Sequence, residues 1–366
     1  MKARMIFDAD GHVFEDPAGM SKFMPEVYRR WKDSHGVFRN AQWFAPFSPL
    51  HTPTGMHPPG GFGAGKFVGP DGWAEFLDET GIAVSVLYPT VGLTYGFTPN
   101  VDYAIAVTRA YNDWLHEAYL RQSPRFKGMG LIPMQEPEAA AEELCRIVEE
   151  LGMCGAMLPS NGLKAPLGSK EYWPVYKQAD RLGCALAVHG GNHVGLGMDK
   201  VNVFAVIHAI GHPLGMMINL GSLVFNGIFD RFPNTRFAFL ESGAAWLLFC
   251  LERFDGSYKN LLPLEHRGEL VRFGEGETPS GYILKLIKSG RIFLGCEGDE
   301  LMVPQAIKML GNGPFIYSSD FPHEVSAATC NHHIAEVLES SALTQEDKDA
   351  LLYRNAERFY RVKVAA

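Results

Sequence analysis

The chain has 366 residues, with 41 acidic against 33 basic side chains and a formal charge of −8. Hydrophobic residues make up 46% and charged residues 20%, a globular mix that excludes a disordered or fibrous chain. The acidic balance without a basic run argues against a nucleic-acid partner, and the longest unbroken apolar run, residues 244–251, is too short to span a bilayer.

At the N-terminal end, Asp8 and Asp10 interrupt the apolar start, so a secretory signal is not expected. The six cysteines form no C-x-x-C pair and fall mostly in apolar segments, which suits reduced, packed thiols in a cytoplasm. Short apolar runs at 5–10, 82–90, 126–134, 155–161, 184–191, 236–242, 291–297 and 314–320 predict strands covered on both faces. Helical spacing of apolar residues marks 101–121, 136–151, 171–182, 244–254, 301–310 and 332–338. Eight strands, each followed by something helical or long, predict an α/β fold, a (β/α)₈ TIM barrel forming a single domain over 1–366. No G-x-G-x-x-G follows the first strand, which removes the usual dinucleotide site.

Two regions depart from the repeat. An insertion at about 39–72 follows the first strand, and its stretch 46–72 holds thirteen Gly or Pro among twenty-seven residues, which excludes a helix. Trp43, Phe44, Phe47, Phe62 and Phe67 flank or interrupt it, so a substrate loop or lid for a bulky, mainly apolar small molecule is expected. Residues 192–231 hold several apolar runs with His193, His208 and His212, and are longer than one crossover helix needs.

Polar residues end the apolar strands. The first closes Asp8-Ala9-Asp10-Gly11-His12, with Glu15 soon after; the fifth ends at His189, the sixth at Glu241, the seventh at Glu297, and the eighth at Asp320 with His323 beyond. In a (β/α)₈ barrel these carboxyl ends share one face. Carboxylates and imidazoles massed there call for a cation, and mixed N and O ligands suit a divalent metal. Asp10 and His12, two apart on a strand, point to the same side. The expected metal ligands are Asp10, His12, Glu15, His189, Glu241 and Asp320. The expected catalytic residues are Asp320, His212 and His323, with His323 orienting Asp320 or touching substrate; His193 and His208 are set behind them.

These strand ends resemble the amidohydrolase superfamily, in the branch containing aminocarboxymuconate-semialdehyde decarboxylase and γ-resorcylate decarboxylase. The segments that carry the likeness are DADGHVFEDP, AVHGG, HPLG, GIFDRFPNTRFAFLESGAAW, YSSDFPHE and NAERFY. The resemblance implies a barrel with metal at its carboxyl face, bound through Asp10, His12, His189 and Asp320, and a homodimer, as relatives are commonly dimers. This chain departs from it at Glu241-Ser242-Gly243, where those decarboxylases carry histidine in a His-Gly-Gly stretch, and at Asp10, where relatives carry His or Glu. Its fourth strand also lacks the lysine that bridges two metals in hydrolytic relatives. One or two ions of iron, zinc or manganese are therefore expected.

The changed residue on strand six favours a metal-dependent hydrolase, cleaving an ester, thioester or amide with metal-activated water while Asp320 moves the proton and the metal or His212 polarises the carbonyl. The alternative is a lyase, a non-oxidative decarboxylase of an aromatic or unsaturated acid in which Asp320 protonates carbon. A barrel that binds ligand without turnover is the third possibility.

Overall fold

The structure is a computed structural model describing residues 5–34, 43–44, 67–265 and 270–364. Eight parallel strands form one sheet in sequential order: β1 (Phe7–Val13), β2 (Val84–Pro89), β3 (Phe126–Leu131), β4 (Gly155–Pro159), β5 (Ala185–His189), β6 (Arg236–Phe239), β7 (Ile292–Cys296) and β8 (Phe315–Tyr317). At the remaining seam, Asp320 N donates to Asp10 O at 2.9 Å and His12 N donates to Phe321 O at 2.7 Å. The ring is thereby drawn together at its carboxyl end, as the eight-strand reading requires. All eight expected strands are present, each within two or three residues of its expected limits.

Segments such as ALAVH in β5 and IFLGC in β7 are buried at every position. Inward side chains fill the barrel and outward ones meet the helices, so the sequence shows apolar runs and not alternation. The helices between strands include α1 (Pro17–Ser21), α2 (Glu26–Ser34), α3 (Pro70–Thr80), α4 (Val101–Leu115), α5 (Pro137–Glu149), α6 (Trp173–Leu182), α7 (Phe204–Phe225), α8 (Ile228–Arg231), α9 (Ala245–Leu261), α10 (Pro279–Lys288), α11 (Val303–Leu310) and α12 (Ala327–Glu339). Asn100 caps α4 by accepting from Tyr103 N, and Gly183 ends α6 in the left-handed conformation that a side chain resists.

The irregular region 192–231 contains α7, a helix of 22 residues. It is long and apolar enough to cross a membrane by length and composition, with a mean hydropathy of 1.3 over a window that is 39% buried. In this fold it lies across the end of β5 and against α9. Pro213 lies inside it and withholds one main-chain N–H from the helix ladder.

Most of the Gly/Pro-rich insertion lies outside the described residues, including Phe47 and Phe62. Two of its aromatic residues have a structural task. Trp43 and Phe44 are buried; Trp43 donates to Pro17 O at 2.9 Å, its own carbonyl accepts from Tyr103 Oη at 2.6 Å, and Lys32 sits 4.0 Å over its ring. These two belong to the core, where burial of a large ring is most stabilising, and not to a substrate-facing surface. Phe67 is exposed.

Candidate metal centre

The centre begins with β1. A bulge between Asp8 and Gly11 interrupts its register with β2. Gly11 is required there: a Cβ would lie 2.5 Å from the Trp73 ring and 2.6 Å from Ser85 Oγ. Asp8, fully buried, accepts from Ser85 Oγ, from Ser319 N and Oγ, and from Asp10 N. It ties β1 to β2 and to the residue before Asp320. Burial lifts its pKa to about 6 against these hydrogen bonds. The position of Asp320 is fixed from outside as well, since the Phe321 ring stacks on Phe76 of α3 at 3.7 Å and meets Trp73 edge-on.

Above this base the side chains converge. Asp10 Oδ1 lies 3.4 Å from His12 Nε2 and 3.4 Å from His189 Nε2, and His12 Nε2 lies 3.3 Å from Asp320 Oδ1. His12 donates through Nδ1 to Pro89 O at 2.8 Å, and His189 donates through Nδ1 to Gly190 O at 2.8 Å. Each bond holds its ring with Nε2 turned towards Asp10. Burial, reinforced by the neighbouring His323 and His189, holds the His12 pKa well below its ordinary value, so this ring is neutral.

The result is a cluster of buried polar atoms facing one another. Asp10 Oδ1 and Oδ2, His12 Nε2 and His189 Nε2 are all buried and take part in no hydrogen bond. A cation placed among them would satisfy all of these polar atoms at once. The spacing agrees: atoms about 2.1 Å from one tetrahedral ion stand roughly 3.4 Å apart. Burial also raises the Asp10 pKa, a penalty on its charge that a bound cation offsets. The residues present therefore fit a divalent metal.

His323 completes the group. Its Nδ1 lies 2.8 Å from Asp320 Oδ1, its Nε2 lies 3.1 Å from Thr90 Oγ1, and its ring stacks on His12 at 4.1 Å. Burial pulls its pKa down, but Asp320 and the surrounding carboxylates outweigh this and raise it. Beyond His323 lies a cavity of about 490 Å³ bounded by Phe76, Phe321, Pro322 and Glu324.

Glu241 and His212 stand at the next part of the rim. Glu241 Oε2 is 3.5 Å from His189 Nδ1 and 3.3 Å from His212 Nδ1. Burial raises the Glu241 pKa well above the carboxylate range, helped by Asp320 and Asp10. Glu241 (φ 51°) and Asp320 (φ 55°) both hold left-handed backbone, which costs a non-glycine residue about 1–3 kcal/mol and is concentrated at functional sites.

Glu15 has a different task from the one expected. Its two oxygens accept from Val91 N at 3.0 Å and Gly92 N at 2.7 Å, at the start of the 3₁₀ helix Val91–Phe97. An acid that caps main-chain N–H groups reads in sequence like a ligand, because both follow a strand end closely. Glu15→Gln places an amide N–H₂ against one of these donors and is expected to cost about 1–3 kcal/mol in a denaturant melt, with the metal-to-chain ratio unchanged. A lowered ratio with unaltered stability would return Glu15 to the ligand set.

Thr90 and Asp8 were not singled out as functional by sequence, and His208 was set behind His212. Thr90 ends an apolar strand and Asp8 precedes Asp10 by two residues, and either pattern could have drawn attention. All six cysteines are unbridged.

Residues 55–362 match the amidohydrolase family. The chain is 24% identical to 2-amino-3-carboxymuconate-6-semialdehyde decarboxylase of Dictyostelium discoideum over 79% of this chain and 76% of that protein. It is 25% identical to γ-resorcylate decarboxylase of Rhodococcus jostii over 79% and 86%. Among solved structures, 5-carboxyvanillate decarboxylase of Novosphingobium aromaticivorans, with bound manganese and 3-methoxy-4-hydroxy-5-nitrobenzoic acid, superposes with a TM-score of 0.74 at 20% identity, covering 98% of each chain. The hydrolytic reaction expected from Glu241 is overturned by these relatives, which are named decarboxylases; the exchange at strand six does not mark a change to hydrolysis. The fold, the strand-end residues and the match over most of its length show that the chain belongs to the amidohydrolase family.

Proposed function

We propose that this protein is a metal-dependent, non-oxidative decarboxylase of an aromatic or unsaturated carboxylic acid. The observation that carries the reading is the convergence of Asp10, His12, His189 and Asp320 at the barrel rim, in a chain whose relatives over 79% of its length are named decarboxylases. These four residues would hold the cation, of the kind found as manganese in the carboxyvanillate enzyme. When bound, it supplies positive charge that holds an anionic acid at the rim and draws electrons from it.

The protein's own side chains account for the proton. Decarboxylation breaks one C–C bond, releases CO₂ and puts a proton on the carbon that bore the carboxylate. Asp320 is the acid that delivers this proton. Breaking the C–CO₂ bond returns its electron pair to the unsaturated system. His323 Nδ1, 2.8 Å from Asp320 and flanked by the outer cavity, replaces the proton from solvent, with Thr90 keeping the ring oriented through Nε2. The Gly190 and Pro89 carbonyls hold the His189 and His12 rings with Nε2 directed at the cluster.

The test uses the manganese-loaded protein in D₂O with hydroxylated benzoic acids and amino-substituted unsaturated acids. The expected products are CO₂ and the corresponding arene or alkene with one deuterium at the vacated carbon. Turnover of esters or amides, with no CO₂ from any acid, would contradict the proposal.

A further inference from the structure

We infer that the rim carries a second divalent-cation site, beside the first, made by His208 and His212 of α7 and Glu241 at the end of β6. The site stands on donors that the first centre does not use, and it does not depend on the decarboxylase reading.

His208 and His212 are four residues apart on one helix and share a face. Their ligand atoms and a carboxylate oxygen of Glu241 all lie within 4.8 Å of one another. His212 Nδ1 lies 3.3 Å from Glu241 Oε2, within ion-pair distance. Glu241 Oε2 is buried and makes no hydrogen bond, either to this ring or to His189, whose Nδ1–H is given to the Gly190 carbonyl. Roughly 3.4 Å is the distance between two atoms bound to one tetrahedral ion, and it is the spacing that recurs in the first centre.

The backbone makes room for this arrangement. A Cβ at Gly190 would lie 2.0 Å from His212 Nδ1, so the imidazole reaches Glu241 only because residue 190 has no side chain. Glu241 itself holds left-handed backbone, which aims its carboxylate between His189 and His212. Two imidazoles and one carboxylate suit zinc or a similar borderline ion, and three protein ligands leave a coordination position for an exchangeable group. Since Glu241 also abuts His189, the two ions would be neighbours across this one acid.

The experiment is equilibrium dialysis of the full chain against zinc, with elemental analysis of the wild type, His208→Ala and His12→Ala; cobalt loading provides a parallel visible spectrum. Two ions per chain are expected in the wild type and one in each variant, with different cobalt bands lost from the two. His208 is only half-buried, so His208→Ala should keep a cooperative melt; His208→Gln repeats the test if it does not. A wild-type ratio of one, unchanged in the His208 variants, would overturn the site, as would a ratio of two that His208→Ala leaves at two. A wild-type ratio of one that falls to zero in His208→Ala would keep this site and remove the first. Loss of CO₂ release alone bears on the decarboxylase reading and not on this one.

Discussion

Asp320→Asn, assayed with manganese in excess, is expected to lose about a thousandfold or more of kcat, roughly 4 kcal/mol in the barrier. The side chain keeps its size and can still accept from His323, so the fold and the loop after β8, clamped by Phe76 and Trp73, should survive. What is lost is a group able to carry a proton to carbon. Asparagine is also a poorer cation ligand, and excess manganese separates the two effects: occupancy returns at high metal while turnover does not. Rates and metal content measured on the same sample decide it. Full recovery of turnover once the metal is restored would show that Asp320 acts only as a ligand.

The second large effect is on cation binding. His12 sits at the middle of the cluster, with Nε2 within 3.4 Å of both Asp10 and Asp320. His12→Ala is expected to lower manganese affinity at this centre by more than the 10- to 100-fold that losing an outer hydrogen-bond partner costs. A thermal melt reads the same loss. In the wild type, metal at a hundredfold excess over Kd should stabilise the fold by about 2.7 kcal/mol. In His12→Ala that stabilisation should be absent at the same metal concentration. An equal rise in Tm for both proteins would place the ion elsewhere.

The parts of the site legible in the sequence are those where one rule dominates. A barrel strand must be apolar on both faces, so the polar residue that ends the run stands out, and Asp10, His189, Glu241 and Asp320 were found on that signal. Asp10 and His12 share a side because the strand period is two. Other features obey two rules at once. Glu15 carries the mark of a strand-end ligand and of a helix-capping acid, and the Val91 and Gly92 N–H groups decide for the cap only in three dimensions. Helix α7 was hidden because Gly211, Pro213, Gly215 and Gly221 break its propensity, while packing on the barrel restores it. That concealed the i, i+4 relation of His208 and His212. Trp43 and Phe44 were read as ligand contacts because their neighbours are glycine and proline, yet Pro17 O and Tyr103 Oη hold Trp43 in the core.

The reaction was the least legible part. Hydrolysis and decarboxylation both need a cation beside an acid, and strand-end composition does not separate them. Glu241 in place of a histidine was taken as a sign of hydrolysis. In the structure it contacts His189 and His212, and so marks a change in what surrounds the centre.

The anomalous difference map of a crystal grown with manganese addresses the main claim directly. It should show a strong peak within bonding distance of Asp10, His12, His189 and Asp320, with the Pro89 and Gly190 carbonyls still holding the two imidazoles from behind. A map with no peak among those four side chains, or with His12 and His189 turned away from Asp10, would contradict the account.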